Sequence, residues 1–207
     1  MIAVINYQTS NLGSISNFLK RINEKFVIID NCKDLKKFDK MILPGVGSFE
    51  KAMDNLKKFN WVENILSFSE KNKPILGICL GMQILFDTSE ECENKNVKGL
   101  GLISGEVKKL KKREGFKVPH VGWNNLNIIK NSYIFDGIIS GLDCYFIHSY
   151  KCVPKDKSHI VCTTEHSEVF PSVVIKKNII GLQFHPEKSF SIGYRLIKNF
   201  CREGSND

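Results

Sequence analysis

The chain contains no long apolar run, no internal repeat and no low-complexity linker. Its longest largely apolar stretch, 74–86, is about 13 residues long, short of the roughly 20 that cross a bilayer. The first strand-like segment also starts without a basic leader. These absences argue against a membrane-spanning or exported protein, so we expect a cytoplasmic one. We also expect a single domain over 1–203, followed by a frayed tail at 204–207.

Paired cysteine motifs are also missing. The seven cysteines are odd in number and include no C-x-x-C pair, which argues against a disulfide framework and against a zinc site. No residue spacing indicates a metal or an organic cofactor, so none is predicted. We expect every cysteine except Cys79 to be reduced and structural.

The positive charge is not organised as a nucleic-acid site. The chain carries a net charge of +8 and has a pI near 9.1, and its densest basic cluster is 108–113. This cluster has no interleaved aromatic residues and belongs to no recognisable nucleic-acid module. We interpret it as a solvated surface turn, with a face for an acidic partner protein as the alternative.

The most informative motif is Gly77-Ile78-Cys79-Leu80-Gly81. The apolar segment 74–76 leads into it like a strand, and 82–86 leads out of it like a helix. This pattern is typical of a strand-to-helix elbow, in which glycines avoid clashes in a strained turn and the nucleophile stands at its tip. Free amide groups and a helix N-terminus at that position favour a thiolate. We therefore interpret Cys79 as a nucleophile, with a buried structural cysteine as the alternative.

A cysteine nucleophile needs a base, and two of the five histidines have a carboxylate two positions later. His166, followed by Glu168, lies in a polar stretch and is expected to be a solvated loop residue. His185, followed by Glu187, ends an apolar run, and strand residues at i and i+2 point to the same side. The sequence therefore predicts His185 as the base and Glu187 as the carboxylate that orients it, completing a triad with Cys79.

A glycine-containing block, 44–49, follows another predicted strand. Attack of a thiolate on an amide creates an oxyanion, which needs N–H donors about 2.7 to 3.1 Å away. We predict that the backbone of Leu80 and of Val46 or Gly47 supplies these donors. The alternative for the block is an ordinary glycine turn.

Apolar periodicity alternates strands and helices in the first half and gives more strands in the second. We expect an α/β fold whose mostly parallel central sheet is flanked by helices, with an antiparallel portion from residues beyond Gly101. The site should lie at the carboxyl ends of the strands. The predicted strands are 2–6, 26–29, 41–43, the segment after Pro74, 144–150, 160–164, 173–176 and 179–184, and the predicted helices are 12–22, 49–59, 61–71 and 192–201.

Five sequence blocks span most of the chain: 44–49, 77–83, 119–124, 145–150 and 181–189. In content and order they resemble class I, triad-type glutamine amidotransferases. The cysteine elbow and His-Pro-Glu would mark any such glutaminase. Pro-Gly-Val-Gly, Pro-His-Val-Gly-Trp-Asn and the Lys-Ser that follows His-Pro-Glu point to the glutaminase subunits of imidazole glycerol phosphate synthase. The resemblance implies a flavodoxin-like fold and hydrolysis of glutamine to glutamate and ammonia.

The resemblance also implies roles for residues outside the triad. Gln83 and Glu91, with backbone groups of Gly47, Ser149 and Tyr150, would hold the α-amino and α-carboxylate end of glutamine. The alternatives are a capping or surface role for Gln83 and a solvated charge for Glu91.

A lone glutaminase domain implies a partner that receives the ammonia. By resemblance this partner is a (β/α)8-barrel cyclase, which forms a heterodimer with the chain in histidine biosynthesis. Asn11, Trp123, Tyr145 and Lys188 match family positions at or near the subunit interface. Core aromatics and an exposed lysine are the alternative interpretations of the last three.

The chain departs from the family in one loop. Many members carry Gly-x-Gly-Asn after the first strand, whereas this chain has Gln8-Thr9-Ser10-Asn11. Because glycine leaves the backbone freer than other residues do, this loop could be shaped for a different barrel. Delivery of ammonia to another synthase, such as one that amidates a nucleotide or a sugar, and a non-catalytic regulatory role remain as alternative functions.

Overall fold

The structure, a computed structural model, describes residues 1–8, 11–94 and 96–202. The tail predicted at 204–207 lies outside these residues. Across the described ranges, no helix is both long enough and apolar enough to span a membrane.

The strands are β1 Ile2–Ile5, β2 Phe26–Ile29, β3 Lys40–Leu43, β4 Ile75–Ile78, β5 Thr88–Ser89, β6 Gly105–Lys109, β7 His120–Asn125, β8 Asn127–Ile128, β9 Asp143–His148, β10 Tyr150–Pro154, β11 Ile160–Glu165, β12 Val169–Lys176 and β13 Ile179–Leu182. The α-helices are α1 Leu12–Arg21, α2 Phe49–Lys58, α3 Trp61–Glu70, α4 Leu80–Gln83 and α5 Phe190–Arg202.

The main sheet has eight strands in the order β2-β1-β3-β4-β13-β12-β11-β8. The first five are parallel, and the last three add antiparallel pairs. Two smaller sheets, β10-β6-β5 and β7-β9, contain the remaining strands, all of which except β5 follow Gly101. The predicted α/β fold, with an antiparallel portion built after Gly101, is therefore confirmed.

The central strands are buried on both faces, which explains their nearly continuous apolar sequences. In β1, Ala3 and Ile5 belong to one hydrophobic core, while Ile2 and Val4 belong to the core on the opposite face. The carboxyl ends of β3, β4 and β13 meet at one edge of the sheet, where Leu43 pairs with Gly77 and Leu182 pairs with Ile78. This edge carries the candidate site, as such edges do in open α/β sheets.

The single strand predicted at 144–150 is wrong, because the chain changes sheets at Ser149. Strand β9 pairs with β7, whereas β10 pairs with β6. The Ser149 carbonyl accepts a hydrogen bond from the Leu110 amide at 2.9 Å. Strands β6 and β7 were not predicted, so the sequence offered no reason to divide the segment.

The helix-like interpretation of 82–86 holds for Met82 and Gln83 and is wrong for 84–86. Helix α4 ends at Gln83, and the carbonyls of Ile84, Leu85 and Phe86 instead accept hydrogen bonds from amides within 100–103. A helix of four residues has only a small dipole, so the local amide groups at its start are the main backbone contribution to anion binding at Cys79.

The basic cluster 108–113 is only partly the predicted turn. Lys108 and Lys109 end strand β6, and Leu110 is buried. The Lys108 ammonium lies 2.7 Å from Glu106, and the Lys111 amide donates to Glu168 at 2.8 Å. Much of the cluster therefore lies in strand β6 or makes contacts within the protein.

Candidate active site

Cys79 lies at a strained turn between β4 and α4. Its backbone has φ 54° and ψ −109°, a conformation that costs of order 1–3 kcal/mol for a residue other than glycine and is found mainly at functional sites. The Cys79 amide donates to the Leu182 carbonyl at 2.7 Å, which fixes the turn to β13. Gly81 allows the close approach of β3, because a Cβ atom there would overlap the Leu43 carbonyl oxygen.

His185 and Glu187 form a buried pair beside Cys79. The Nδ1 atom of His185 lies 2.8 Å from Oε1 of Glu187, and the two side chains are 6% and 7% exposed. Burial alone lowers the pKa of His185, but the Cys79 sulfur and the Glu187 carboxylate outweigh it and raise that pKa to about 10. The buried Nε2 atom has no hydrogen-bond partner among the described residues. Cys79 and Glu187 thus favour the charged form of the imidazole.

The reason given for this pairing from the sequence is wrong. Strand β13 ends at Leu182, and Glu187 lies on a 3₁₀ turn, Pro186–Lys188, that begins directly after His185. The turn, not a strand alternation, brings the two side chains together. The Ser189 hydroxyl holds the turn by donating to the His185 carbonyl at 2.6 Å.

A pocket of about 270 Å³ opens at Cys79. Its lining contains every residue predicted for the nucleophile, the base, the oxyanion donors and glutamine binding, while Glu187 lies behind His185. It also contains three residues for which no role was predicted from sequence. The lining residues are Val46, Gly47, Cys79, Leu80, Gln83, Glu91, Pro119, Ile147, His148, Ser149, Tyr150 and His185.

Two backbone segments face the Cys79 side chain in this pocket. Leu80 starts α4, and amides in the first turn of a helix have no partner within the helix. Gly47 has φ +99°, a conformation that suits glycine, and Val46 beside it is exposed. All three residues line the same pocket as Cys79, and their oxyanion roles stay predictions.

Gln83 and Glu91 are neither surface residues nor solvated charges. The Gln83 side chain is buried and donates to the Tyr150 carbonyl at 3.2 Å. The Glu91 carboxylate accepts from the Phe49 amide at 2.7 Å, and burial raises its pKa. A carboxylate and an amide thus line the pocket together with Ser149 and Tyr150, a set of polar groups that suits the charged end of an amino acid.

The predicted interface residues form an exposed aromatic group beside the site. Trp123 is 45% exposed and packs edge-on against Tyr145, with ring centroids 5.7 Å apart. The Lys188 ammonium lies 5.1 Å from the centre of the Tyr145 ring. Phe190, for which no role was predicted, stacks on Trp123 at 4.8 Å and is 77% exposed. Trp123 is thus no core residue, and its interface role stays a prediction, as do those of Tyr145 and Lys188.

Gln8 and Asn11 are the two described residues of the loop that departs from the family pattern. Gln8 has φ 65°, so a side-chain-bearing residue adopts the left-handed conformation that glycine adopts more readily, at a cost of roughly 1–2 kcal/mol. Asn11 caps α1 by accepting from the Ser14 amide at 3.4 Å and lines a small cavity with His185 and Glu187. Thr9 and Ser10 lie outside the described residues.

His166 is not the solvated loop residue that was predicted. Its ring stacks on His120, with centroids 4.1 Å apart, and meets Phe116 edge-on. Its Nε2 atom lies 2.8 Å from the Lys117 carbonyl oxygen. Sequence polarity around His166 gave no sign of these contacts, because they come from segments some 50 residues earlier in the chain.

All seven cysteines lie in the described part of the chain, and none is in a disulfide. Burial raises the pKa of Cys144 and of Cys201 to about 12 and that of Cys162 to about 11, so these thiols are neutral near pH 7. Among the described residues, no group of three or more His, Cys, Asp or Glu side chains could hold a metal ion.

Comparisons with known proteins agree on one family. Residues 3–203 match the family model of class I glutamine amidotransferases. The chain is 46% identical over 200 residues to imidazole glycerol phosphate synthase subunit HisH of Methanocaldococcus jannaschii, covering 97% of this chain and 98% of that protein. It is 44% identical over 202 residues to HisH of Lactococcus lactis, covering 98% of each. The solved PurLQS structure from Thermotoga maritima has a TM-score of 0.76 at 19% identity, with 97% of each chain covered, which shows the fold alone.

Proposed function

Because this chain belongs to the class I glutamine amidotransferase family, and within it to the glutaminase subunits of imidazole glycerol phosphate synthase, we propose that it hydrolyses glutamine and passes the ammonia to a cyclase partner in histidine biosynthesis. The observation that carries the chemistry is the buried His185–Glu187 pair, whose His185 lines one pocket together with Cys79. The proposal includes one catalytic domain over 1–203 and a cytoplasmic location.

The proposed reaction has two stages. The Cys79 thiolate attacks the side-chain amide carbon of glutamine, and His185 gives its proton to the departing ammonia. A water molecule, deprotonated by the now neutral imidazole, then attacks the glutamyl thioester and releases glutamate and the thiolate. Glu187 keeps the imidazole oriented and stabilises its charged form.

The backbone supplies the remaining stabilisation. The tetrahedral intermediate of each stage carries an oxyanion beside Cys79, where the Leu80 amide and the loop containing Val46 and Gly47 face the pocket. Loss of one such donor typically costs roughly 2.7 to 4 kcal/mol of barrier. A small change in the loop would therefore have a large effect on the rate.

The proposed partner is a (β/α)8-barrel cyclase that binds the exposed aromatic group formed by Trp123, Tyr145 and Phe190. A surface that places large aromatic side chains next to a buried site suits a protein partner. In this arrangement the partner receives the ammonia that is released from the glutamine side chain at Cys79.

A Cys79→Ala variant tests the proposal. In the complex, glutamine-dependent synthesis and glutamate release should both be lost, while synthesis from added ammonium salts should remain, because the thiolate serves only to liberate nitrogen. A Cys32→Ala variant, which changes a buried cysteine outside the pocket, is the matched control and should keep both activities.

Continued glutamate release by the Cys79→Ala variant would disprove the nucleophile assignment. Loss of the ammonium-dependent reaction as well would show that Cys79 has a structural or interface role instead. A third outcome concerns the unaltered chain. If it releases glutamate, gives no product with the cyclase and supplies ammonia to another synthase, the pathway assignment is wrong and the glutaminase chemistry stands.

A further inference from the structure

A chain of hydrogen bonds crosses the buried face of the β7–β9 ribbon and ends at the pocket. The Nδ2 atom of Asn124 lies 3.2 Å from Nε2 of His120. The Nδ1 atom of His120 lies 3.1 Å from Nε2 of His148, and Nδ1 of His148 lies 2.8 Å from the Tyr150 carbonyl oxygen. Four residues are thus connected from the far end of the ribbon to the pocket wall.

The Tyr150 carbonyl at one end and the Asn124 amide at the other fix which atom donates in every hydrogen bond of this series. A carbonyl only accepts, so Nδ1 of His148 must carry a proton, which leaves its Nε2 as an acceptor when the ring is neutral. His120 must then donate from Nδ1 and accept at Nε2 from the Asn124 amide. The second Asn124 proton goes to the Glu165 carbonyl at 2.7 Å. One tautomer of each histidine satisfies the whole chain.

Both imidazoles are neutral in the folded protein. Burial lowers the pKa of His148 to about 3 and outweighs the hydrogen bond to the Tyr150 carbonyl, which raises it. Burial and His166 lower the pKa of His120 to about 4. A proton added to either ring would turn an acceptor nitrogen into a donor and place two donors against each other.

The inner end of the chain lies at the predicted glutamine-binding wall. The Tyr150 carbonyl accepts from His148 and also from the Gln83 side chain, at 3.2 Å. Gln83 lies on α4, directly after the nucleophile, and His148 itself lines the pocket together with Ser149. The histidine chain therefore holds the backbone at Ser149 and Tyr150 against the helix that carries Gln83.

The outer face of the same ribbon carries the exposed aromatic group. His120 pairs with His148 in the β7–β9 register, and Trp123 pairs with Tyr145 three positions along. Val121 and Ile147, between these pairs, are exposed. One two-stranded ribbon thus has the histidine chain on its buried face and the proposed partner surface on its other face.

We propose that His120 and His148 are positioning residues for the glutamine site, which set the Ser149–Tyr150 backbone through the directional chain from Asn124 to the Tyr150 carbonyl. This inference rests on the proposed glutaminase function. Neither imidazole touches the reacting atoms of the amide. Their loss should weaken glutamine binding in the ground state and in the transition state alike, which raises KM and leaves kcat nearly unchanged.

Substitutions at His120 separate the hydrogen bond from the packing. His120→Asn places an amide donor where Nδ1 was, whereas His120→Gln places it near the position of Nε2, away from His148. His120→Phe keeps a ring against Phe146, on which His120 stacks at 4.9 Å, and removes both nitrogens. His166→Phe is the matched control, because His166 stacks on His120 but takes no part in the chain of hydrogen bonds.

Steady-state glutamate release by each variant, in complex with the partner, is the measurement. The KM for glutamine should rise at least about tenfold in His120→Phe and His120→Gln, with kcat within about twofold, and His120→Asn should restore KM to within about threefold of the wild type. His166→Phe should leave both constants unchanged. Thermal melting of each variant reports folding, and if His120→Phe fails to fold, the Asn and Gln pair decides.

Equal KM values in the Asn and Gln variants would overturn the inference, and so would an effect confined to kcat. Cys79→Ala in the same assay separates this failure from failure of the proposed function. Glutamate release that persists without the thiol disproves the glutaminase assignment, whereas its loss combined with an unchanged KM in the His120 variants disproves only the positioning role.

Discussion

The charge on His185 depends on two neighbours that act against burial. Its pKa is raised to about 10 because the Cys79 sulfur and Glu187 stabilise the imidazolium more strongly than burial opposes it. These neighbours favour the imidazolium, the form that gives a proton to the departing ammonia in the proposed reaction.

This charge predicts how stability changes with pH. The folded pKa of about 10 lies above the ordinary value of 6.5, so the stabilisation is complete below pH 6.5 and is lost as the pH rises towards 10. Glu187→Gln should lower the free energy of unfolding by about 1.5–3 kcal/mol at pH 6, the range for a hydrogen bond to a charged group. Urea denaturation of both proteins should show this difference shrinking by pH 10. A difference that is constant or grows with pH would contradict the assignment.

Two histidines followed by a carboxylate provide an internal comparison. His185→Asn should lower glutamine turnover at least about a hundredfold more than His166→Asn, because a positioned acid–base group typically contributes 10²–10⁴-fold. The measurement is kcat for glutamate release by the two variants. Equal losses would mean that the base is wrongly assigned, and a larger loss in the His166 variant would reverse the choice.

At the scale of elements, the β7–β9 ribbon and the start of α5 present the exposed aromatic group. Phe190 and Trp123 stack nearly parallel, 5° apart, and both are largely exposed. Such anchors often dominate an interface, with losses of 2 kcal/mol or more on truncation.

Phe190→Ala should therefore weaken binding of the partner at least about tenfold and leave the melting temperature nearly unchanged, since the ring buries little surface in the free chain. Val27→Ala, on the edge strand β2, removes another exposed apolar side chain and should have no effect. Isothermal titration with the cyclase gives both affinities. A larger effect of the Val27 substitution would place the interface at the opposite edge of the sheet.

Local patterns predicted most elements, and the exceptions have a common cause. Helices α1, α2, α3 and α5 and the parallel strands follow apolar periodicity, because each buries a face or both faces against the sheet. Segments 84–86 and 144–150 were misassigned because their hydrogen bonds are set by 100–103 and by strands β6 and β7. No local pattern carries that information.

At the scale of the whole molecule, the candidate site lies at the sheet edge, and the proposed partner surface is connected to it. The amide of His185 donates to the Tyr145 carbonyl at 2.9 Å. A contact at Tyr145 can therefore reach His185, the proposed base, through one backbone hydrogen bond.

The isolated chain should accordingly have low glutaminase activity, which should rise by orders of magnitude with the organism's own cyclase and its nucleotide ligand. Glutamate release with and without the cyclase is the measurement, and a different barrel protein is the control. Stimulation by that control protein, with none from the cyclase, would move the chain to another pathway.

The sequence alone determined the family and predicted Cys79, His185 and Glu187 as nucleophile, base and orienting carboxylate, because the elbow and the His-Pro-Glu motif require particular residues at fixed local spacing. It also determined the parallel sheet through apolar strands. Only the tertiary structure brought His120 to His148, 28 positions later in the chain, and stacked Phe190 on Trp123. Such contacts form when distant segments share one face of the fold, and sequence spacing does not encode which side chains then meet.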